Sequence, residues 1–133
     1  MKVNIKMEER HGYGEEHYYN TGGLKFKGQY NNGNKWNGEG YDTLNNIVYE
    51  LKDGKGLIKE YYKNGNLIFE GEYLKGEKNG KGKEYECFGG ILLFEGEYLN
   101  GKRNGKGKGY YDNGIIKFDG IYLTTLCRKE NFI

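Results

Sequence analysis

The sequence predicts an all-β protein: an antiparallel β-meander of stacked hairpins that forms an elongated, twisted single sheet. The stretch Phe94-Glu95-Gly96-Glu97-Tyr98 alternates in residue character with the period of a strand, and nearly the same stretch begins one period earlier at Phe69. The 24 glycines are interleaved with aromatic residues, and the chain has no proline. No segment has helical periodicity. We therefore take the hairpin as the structural unit, repeated over about ten to twelve strands.

The spacing within one unit predicts the register of its two strands. Gly96 is placed opposite Gly107, which brings acidic residues opposite lysines on one face and aromatic rings over glycines on the other. The predicted opposite pairs are Glu95 with Lys108, Glu97 with Lys106, Phe94 with Gly109, Tyr98 with Gly105 and, one unit earlier, Glu70 with Lys83 and Glu72 with Lys81.

The order of units along the chain predicts one repeat array over residues 1–133. Residues 1–25 are expected to form an N-terminal cap repeat, because residues 1–14 align without gaps onto residues 94–107. Residues 26–122 are expected to hold the repeats, with an irregular unit near residues 41–56. Residues 123–133 are expected to form a C-terminal cap or tail.

These units resemble the MORN repeat family, whose pattern is an aromatic-x-Gly-x-aromatic strand, a glycine-bearing turn and a returning Gly-x-Gly strand. The turn Tyr61-Tyr62-Lys63-Asn64-Gly65 is similar to that of the bacterial-type MORN variant. The resemblance implies a β-hairpin scaffold and says little about function. Its structural repeat residues in this chain are Gly28, Gly38, Gly40, Phe69, Gly71, Gly80, Gly82, Phe94, Gly96, Gly105, Gly107 and Gly120.

Composition and charge argue against several classes of protein. The net charge is only +2, and lysines alternate with glycine opposite glutamates, so no nucleic-acid surface is expected. No apolar run approaches the roughly 20 residues of a membrane span, and the N-terminus lacks a secretory apolar core. Cys87 and Cys127 have no CxxC or histidine partner nearby, which indicates free thiols. A cytoplasmic protein is predicted.

Enzymatic chemistry is not favoured by the residues either. The pairs Glu95/Glu97 and Glu70/Glu72 could be imagined as catalytic carboxylates, but a motif copied between repeats is better explained as a solvated, lysine-paired sheet face. The chain has no serine, and His11 and His17 are expected to be surface or cap residues. The sequence therefore predicts no enzyme, no cofactor, no metal and no small-molecule substrate.

Binding to a protein is the favoured function. The candidate contact residues recur at equivalent or adjacent positions and form an aromatic strip, which is either the thin core or an exposed binding surface: Tyr30, Trp36, Tyr73 and Tyr98. We expect a scaffold that presents an aromatic-rich sheet face to a protein partner or to a second copy in a homodimer. The alternative is an antitoxin or immunity protein that covers a toxin, as bacterial MORN-type relatives imply. Binding of phospholipid headgroups at a membrane surface is less favoured, because the lysines are paired.

Overall fold

The computed structural model describes residues 12–123, which form ten β-strands and no helix. Expectations for residues 1–11, with His11, and for residues 124–133, with Cys127, lie outside this range. No helix within it has the length and apolar character needed to cross a membrane. The strands are β1 (Gly12–His17), β2 (Leu24–Asn31), β3 (Asn34–Tyr41), β4 (Ile47–Leu51), β5 (Gly56–Tyr61), β6 (Leu67–Leu74), β7 (Glu77–Tyr85), β8 (Leu92–Leu99), β9 (Lys102–Tyr110) and β10 (Ile116–Tyr122).

The strands form an antiparallel meander, which confirms the predicted fold class. They are arranged in two sheets, in the order β1-β2-β3-β4 and β10-β9-β8-β7-β6-β5. This differs from the single sheet expected, because the strand pairing is interrupted between β4 and β5. Only the isolated bridge between Lys52 and Lys55 joins them there.

The interruption lies in the unit near residues 41–56 that the sequence marks as irregular, beside the turn between β4 and β5. Asp53 and Gly54 both have positive φ, 52° and 77°. Their amides are bonded to β3: Asp53 N donates to Asn37 Oδ1 at 2.9 Å, and Gly54 N donates to the carbonyl of Trp36 at 2.7 Å. The carbonyl of Gly54 in turn accepts a hydrogen bond from the Gly76 amide at 2.9 Å, so this turn links the two sheets at the point where the pairing of β4 with β5 ends.

The core is largely aromatic and contains two clusters of buried side chains, the first of which includes Ile58 from β5 of the six-stranded sheet. The first contains Phe26, Tyr30, Tyr49, Leu51 and Ile58. The second contains Phe69, Phe94, Tyr98, Phe118 and Tyr122. Tyr73 packs against both clusters, so its ring joins the two cores across the break in the ladder.

The predicted register is correct at the centre of the hairpins and wrong toward their turns. Phe94, Glu95 and Gly96 lie opposite Gly109, Lys108 and Gly107 as expected, and Glu70 lies opposite Lys83. Beyond Gly96 the pairing shifts, so that Tyr98 lies opposite Arg103 and not opposite Gly105. The same shift places Tyr73 opposite Lys78.

A backbone irregularity in the returning strand causes this shift. Gly105 has a φ of +104°, and Gly80 has the same φ one hairpin earlier. Near the irregularity, the Glu97 carboxylate accepts a hydrogen bond from the backbone amide of Lys106 at 2.9 Å. Glu97 and Lys106 are thus neighbours, but their contact is side chain to backbone and not the cross-strand ion pair expected.

Candidate functional site

The predicted aromatic strip is mostly core. Tyr30 is 8% exposed and Tyr98 is 5% exposed, whereas Tyr73 and Trp36 are half-buried. The Tyr98 ring meets Phe69 and Phe94 edge-on, with centroids 5.5 and 5.6 Å apart. Tyr30 and Tyr98 therefore stabilise the array, and their rings are not exposed as a contact surface.

The tyrosines of this strip end in a recurring polar cluster that sequence reasoning did not identify. The Tyr98 hydroxyl donates to the Glu84 carboxylate, and Arg103 Nη2 lies 2.6 Å from Glu84 Oε1. The Arg103 guanidinium also lies over the Phe94 ring, 4.1 Å from its centroid. Three successive strands thus contribute one carboxylate, one tyrosine and one cation.

The same arrangement occurs in the first sheet with lysine as the cation. Tyr30 donates to Glu16 Oε2 at 2.8 Å, and Lys35 Nζ lies 3.3 Å from Glu16 Oε1. In the hairpin between them, Tyr73 donates to Glu60 Oε2 at 3.3 Å. Because a half-buried carboxylate is costly unless it is hydrogen-bonded, these partners allow a glutamate to sit at the margin of an aromatic core.

The electrostatics of the cluster follow from its burial. Burial first, and then the hydrogen bond to Glu84, raises the pKa of Tyr98 well above its usual value. Burial alone would raise the pKa of Glu84, but the hydrogen bonds from Arg103 and Tyr98 outweigh it and lower that pKa. The cluster is therefore an ionised carboxylate held between a neutral phenol and a guanidinium. These hydrogen bonds and the ion pair stabilise the margin of the aromatic core.

A pH series should detect the Glu84 cluster. Glu84→Gln is expected to lower the free energy of unfolding by about 1–2 kcal/mol at pH 7, because Arg103 loses its charged partner. The folded-state pKa of Glu84 is below its usual value of 4.5, so its stabilising effect is present above that pH and is lost as the pH falls further. Urea unfolding from pH 7 to pH 3 should show the wild-type and variant curves converging on the acid side. A constant difference across the series, or a comparable loss in the exposed control Glu50→Gln, would contradict this assignment.

The opposite face of the six-stranded sheet is polar and carries a row of alternating charge, which we call the charge ladder. Its members lie directly opposite one another across β5 to β10: Lys59, Glu70, Lys83, Glu95, Lys108 and Asp119. Tyr85 and Tyr110 donate to Glu70 and Glu95 at 2.6 and 2.7 Å. The pKa of each tyrosine is raised to about 12, for Tyr85 by burial first and then by this hydrogen bond, and for Tyr110 by the hydrogen bond first and then by burial. A shallow groove of about 660 Å³ crosses this face over β7 to β10.

The carboxylates considered for catalysis all lie on this polar face. Glu72 and Glu97 are exposed, and their carboxylates accept hydrogen bonds from backbone amides. Among residues 12–123 there is no group of three His, Cys, Asp or Glu residues that could hold a metal ion. His17 Nε2 lies 3.4 Å from Glu15 Oε1, and Cys87 is a half-buried free thiol. The described structure does not bring the carboxylates, His17 and Cys87 together in one site.

One edge of the array exposes large apolar side chains on its turns, and we call it the turn edge. It comprises the turns at residues 18–23, 42–46, 62–66, 86–91 and 111–115. Tyr19 is 94% exposed, Leu44 80% and Phe88 72%, and on the last turn Tyr111 and Ile115 are 49% and 61% exposed. The turns at the opposite edge are formed by Asn32-Gly33, Asp53-Gly54, Lys75-Gly76 and Asn100-Gly101.

Side-chain hydrogen bonds hold neighbouring turns of this edge together. Asn20 Nδ2 donates to the carbonyl of Lys63 at 3.1 Å, and Asn64 and Asn66 each donate to the carbonyl of Cys87 at 2.9 Å. The Phe88 ring meets Tyr62 edge-on at 5.8 Å. The exposed apolar groups are therefore displayed on a braced surface.

Comparison with protein-family models, with curated proteins and with solved structures found no match. The resemblance to MORN repeats remains a prediction from the residues. Function has to be inferred from the surfaces of the chain itself.

The turn edge could have been found from the sequence. Alternate turns contain a large apolar residue beside asparagine or glycine, as in Tyr19-Asn20, Leu44-Asn45 and Phe88-Gly89. A turn residue without a strand face to bury it is expected to stay exposed. The sequence pattern had pointed to the strand aromatics as candidates for a contact surface, but two of them, Tyr30 and Tyr98, are buried in the core.

Proposed function

We propose that this chain is a non-enzymatic interaction scaffold of the MORN repeat type, which binds a protein partner through the turn edge. The observation that carries the proposal is the exposure of Tyr19, Leu44 and Phe88 on turns of the same edge. Single exposed apolar residues are ordinary, but several along one edge, on turns that are hydrogen-bonded to one another through the turn at residues 62–66, favour a protein contact surface.

The bracing of the turn edge supports tight recognition. Because Asn20, Asn64 and Asn66 already hold the turns by hydrogen bonds, little conformational freedom is lost when a partner binds. Aromatic residues such as Phe88 and Tyr19 contribute large apolar area for few rotatable bonds. The aromatic core has a supporting role in this proposal, since it fixes the strands that carry the turns.

The antitoxin or immunity function is the specific form of this proposal in which the partner is a toxin. A scaffold of this kind would act in the cytoplasm without a cofactor or a small-molecule substrate. Binding of phospholipid headgroups is less favoured, because the lysines of the charge ladder stand between acidic residues and leave no basic cluster.

Site-specific crosslinking tests the proposal. A photoreactive phenylalanine analogue replaces Phe88 in the full chain, and a matched variant carries it at Leu74, which is 42% exposed beside the Lys75-Gly76 turn of the opposite edge. The chain should crosslink to a defined protein from position 88 and not from position 74. The protein identified by mass spectrometry is then purified, and its affinity for the chain is measured directly.

Truncation of the exposed ring completes this test. Phe88→Ser is expected to weaken the measured affinity about tenfold or more, while the far-UV circular dichroism of the chain is unchanged. Equal crosslinking from both edges, or full affinity in the Phe88→Ser variant, would show that the turn edge is not the contact surface.

A further inference from the structure

The polar face of the six-stranded sheet has a charge pattern that is complementary to itself. From β5 to β10 the charge ladder alternates in sign, beginning with Lys59 and ending with Asp119. If the same row is read in the opposite direction, from β10 to β5, each acidic residue stands at a position that a basic residue holds in the original direction. A second copy turned end for end would therefore place opposite charges together at every position.

A second row on the same face has the same property. It runs parallel to the charge ladder and consists of Leu57, Glu72, Lys81, Glu97, Lys106 and Ile121. Reversal again puts acidic residues over lysines, and it puts Leu57 over Ile121. Leu57 is 70% exposed on this face, and the pairing would cover it.

We propose that two copies of this chain associate face to face through the polar side of β5 to β10. The two-fold axis runs parallel to the strands, between β7 and β8. Lys81 and Lys83 of one copy then face Glu97 and Glu95 of the other. This proposal uses a different surface from the turn edge and stands independently of the proposed partner.

The dimensions of the face indicate a weak dimer. Six strands spaced about 4.8 Å apart and about seven residues long present roughly 600 Å² per copy, at the lower end of specific interfaces. Facing sheets pack about 10 Å apart, so the long side chains of both copies interdigitate, and the groove of about 660 Å³ gives them room. Because facing sheets are rotated by about 30°, the central strands β7 and β8 carry the closest pairs.

The first test is the oligomeric state of the intact chain at two ionic strengths. At about 0.5 mM protein, sedimentation velocity should show a dimer at about 50 mM salt, and its dissociation constant should rise about tenfold or more near 0.5 M salt. A monomer at low salt overturns the proposal, and so does a dimer that salt does not weaken.

Charge exchange then tests the position of the axis. The variant Glu95→Lys/Glu97→Lys and the variant Lys81→Glu/Lys83→Glu should each be monomeric, because like charges face each other in either homodimer. Mixing the two should restore a heterodimer. The matched control mixes the first variant with Lys106→Glu/Lys108→Glu, which carries the same change on β9 and should restore nothing. If the heterodimer forms with the Lys106→Glu/Lys108→Glu variant and not with the Lys81→Glu/Lys83→Glu variant, the proposed position of the axis is wrong.

A single substitution keeps the proposal testable if like charges within one sheet prevent the exchange variants from folding. Leu57→Lys changes an exposed side chain and should weaken the dimer about tenfold. Leu44→Lys is the matched control, since Leu44 is 80% exposed on the turn edge and outside the proposed interface. Circular dichroism checks the fold of every variant. Equal dimer affinity in both leucine variants overturns the proposal.

Discussion

Replacing Phe94 by alanine is expected to lower the free energy of unfolding by about 4 kcal/mol. Phe94 is fully buried, and its ring contacts those of Tyr98 and Tyr122 with centroids 5.6 and 5.1 Å apart. It also lies beneath the Arg103 guanidinium. Removing the ring leaves a cavity shared by three strands, and each hairpin depends on its neighbours for burial. Urea denaturation followed by tyrosine fluorescence measures the loss.

Phe88 provides the matched control for Phe94 because the residue type is the same and the exposure is not. Phe88→Ala should cost less than about 1 kcal/mol of unfolding free energy, since this ring is 72% exposed. The two phenylalanines thus separate core from contact surface: Phe94 carries stability, and Phe88 is proposed to carry partner affinity. Equal losses of stability would mean that the turn edge is part of the core.

The second large effect concerns Gly96, where a side chain has no room. Gly96→Ala is expected to lower the free energy of unfolding by about 3 kcal/mol. A Cβ at this position would lie 2.6 Å from the Gly107 Cα, 2.6 Å from the Lys106 carbonyl oxygen and 2.7 Å from Phe94 Cζ. Two of these atoms belong to the backbone of β9, so the clash can be relieved only by moving that strand.

Gly101→Ala distinguishes this steric effect from a conformational one. Gly101 has a φ of +86°, and a Cβ added there would meet no atom within 4 Å, so its substitution costs only backbone strain, about 1 kcal/mol. Thermal or urea unfolding of both variants gives the comparison. If Gly101→Ala lowered the free energy of unfolding more than Gly96→Ala, the close approach of β8 and β9 would not explain why position 96 is glycine.

The three surfaces of the array have separate roles in this interpretation. The aromatic face forms the core. The polar face is proposed to bind a second copy, and the turn edge is proposed to bind a different protein. A dimer formed through the polar face would keep the turns accessible in both copies. Loss of self-association by charge exchange should therefore leave crosslinking from position 88 intact, and the two proposals can fail separately.

Much of the local structure could be predicted from the sequence. The alternation in Phe94 to Tyr98 identifies a strand and assigns its two faces, and the facing Gly-x-Gly sets the hairpin register at Gly96 and Gly107. These features depend on residues close together in the chain, so a period of two residues is enough to reveal them. The predicted register is wrong at Tyr98, because the positive φ of Gly105 shifts the pairing there. In the sequence, Gly105 cannot be told apart from the other glycines of the strand.

The sequence by itself determined an antiparallel meander with rings on one face and alternating charge on the other, because strand periodicity and cross-strand complementarity are local. Only the tertiary structure decided that Tyr30 and Tyr98 are core, that the ladder breaks between β4 and β5, and that Tyr73 joins the two clusters. Whether a ring is buried depends on which other hairpins pack against it. That packing goes with turn contacts such as Gly54 to Trp36 and Gly76 to Gly54, which join residues distant in the chain.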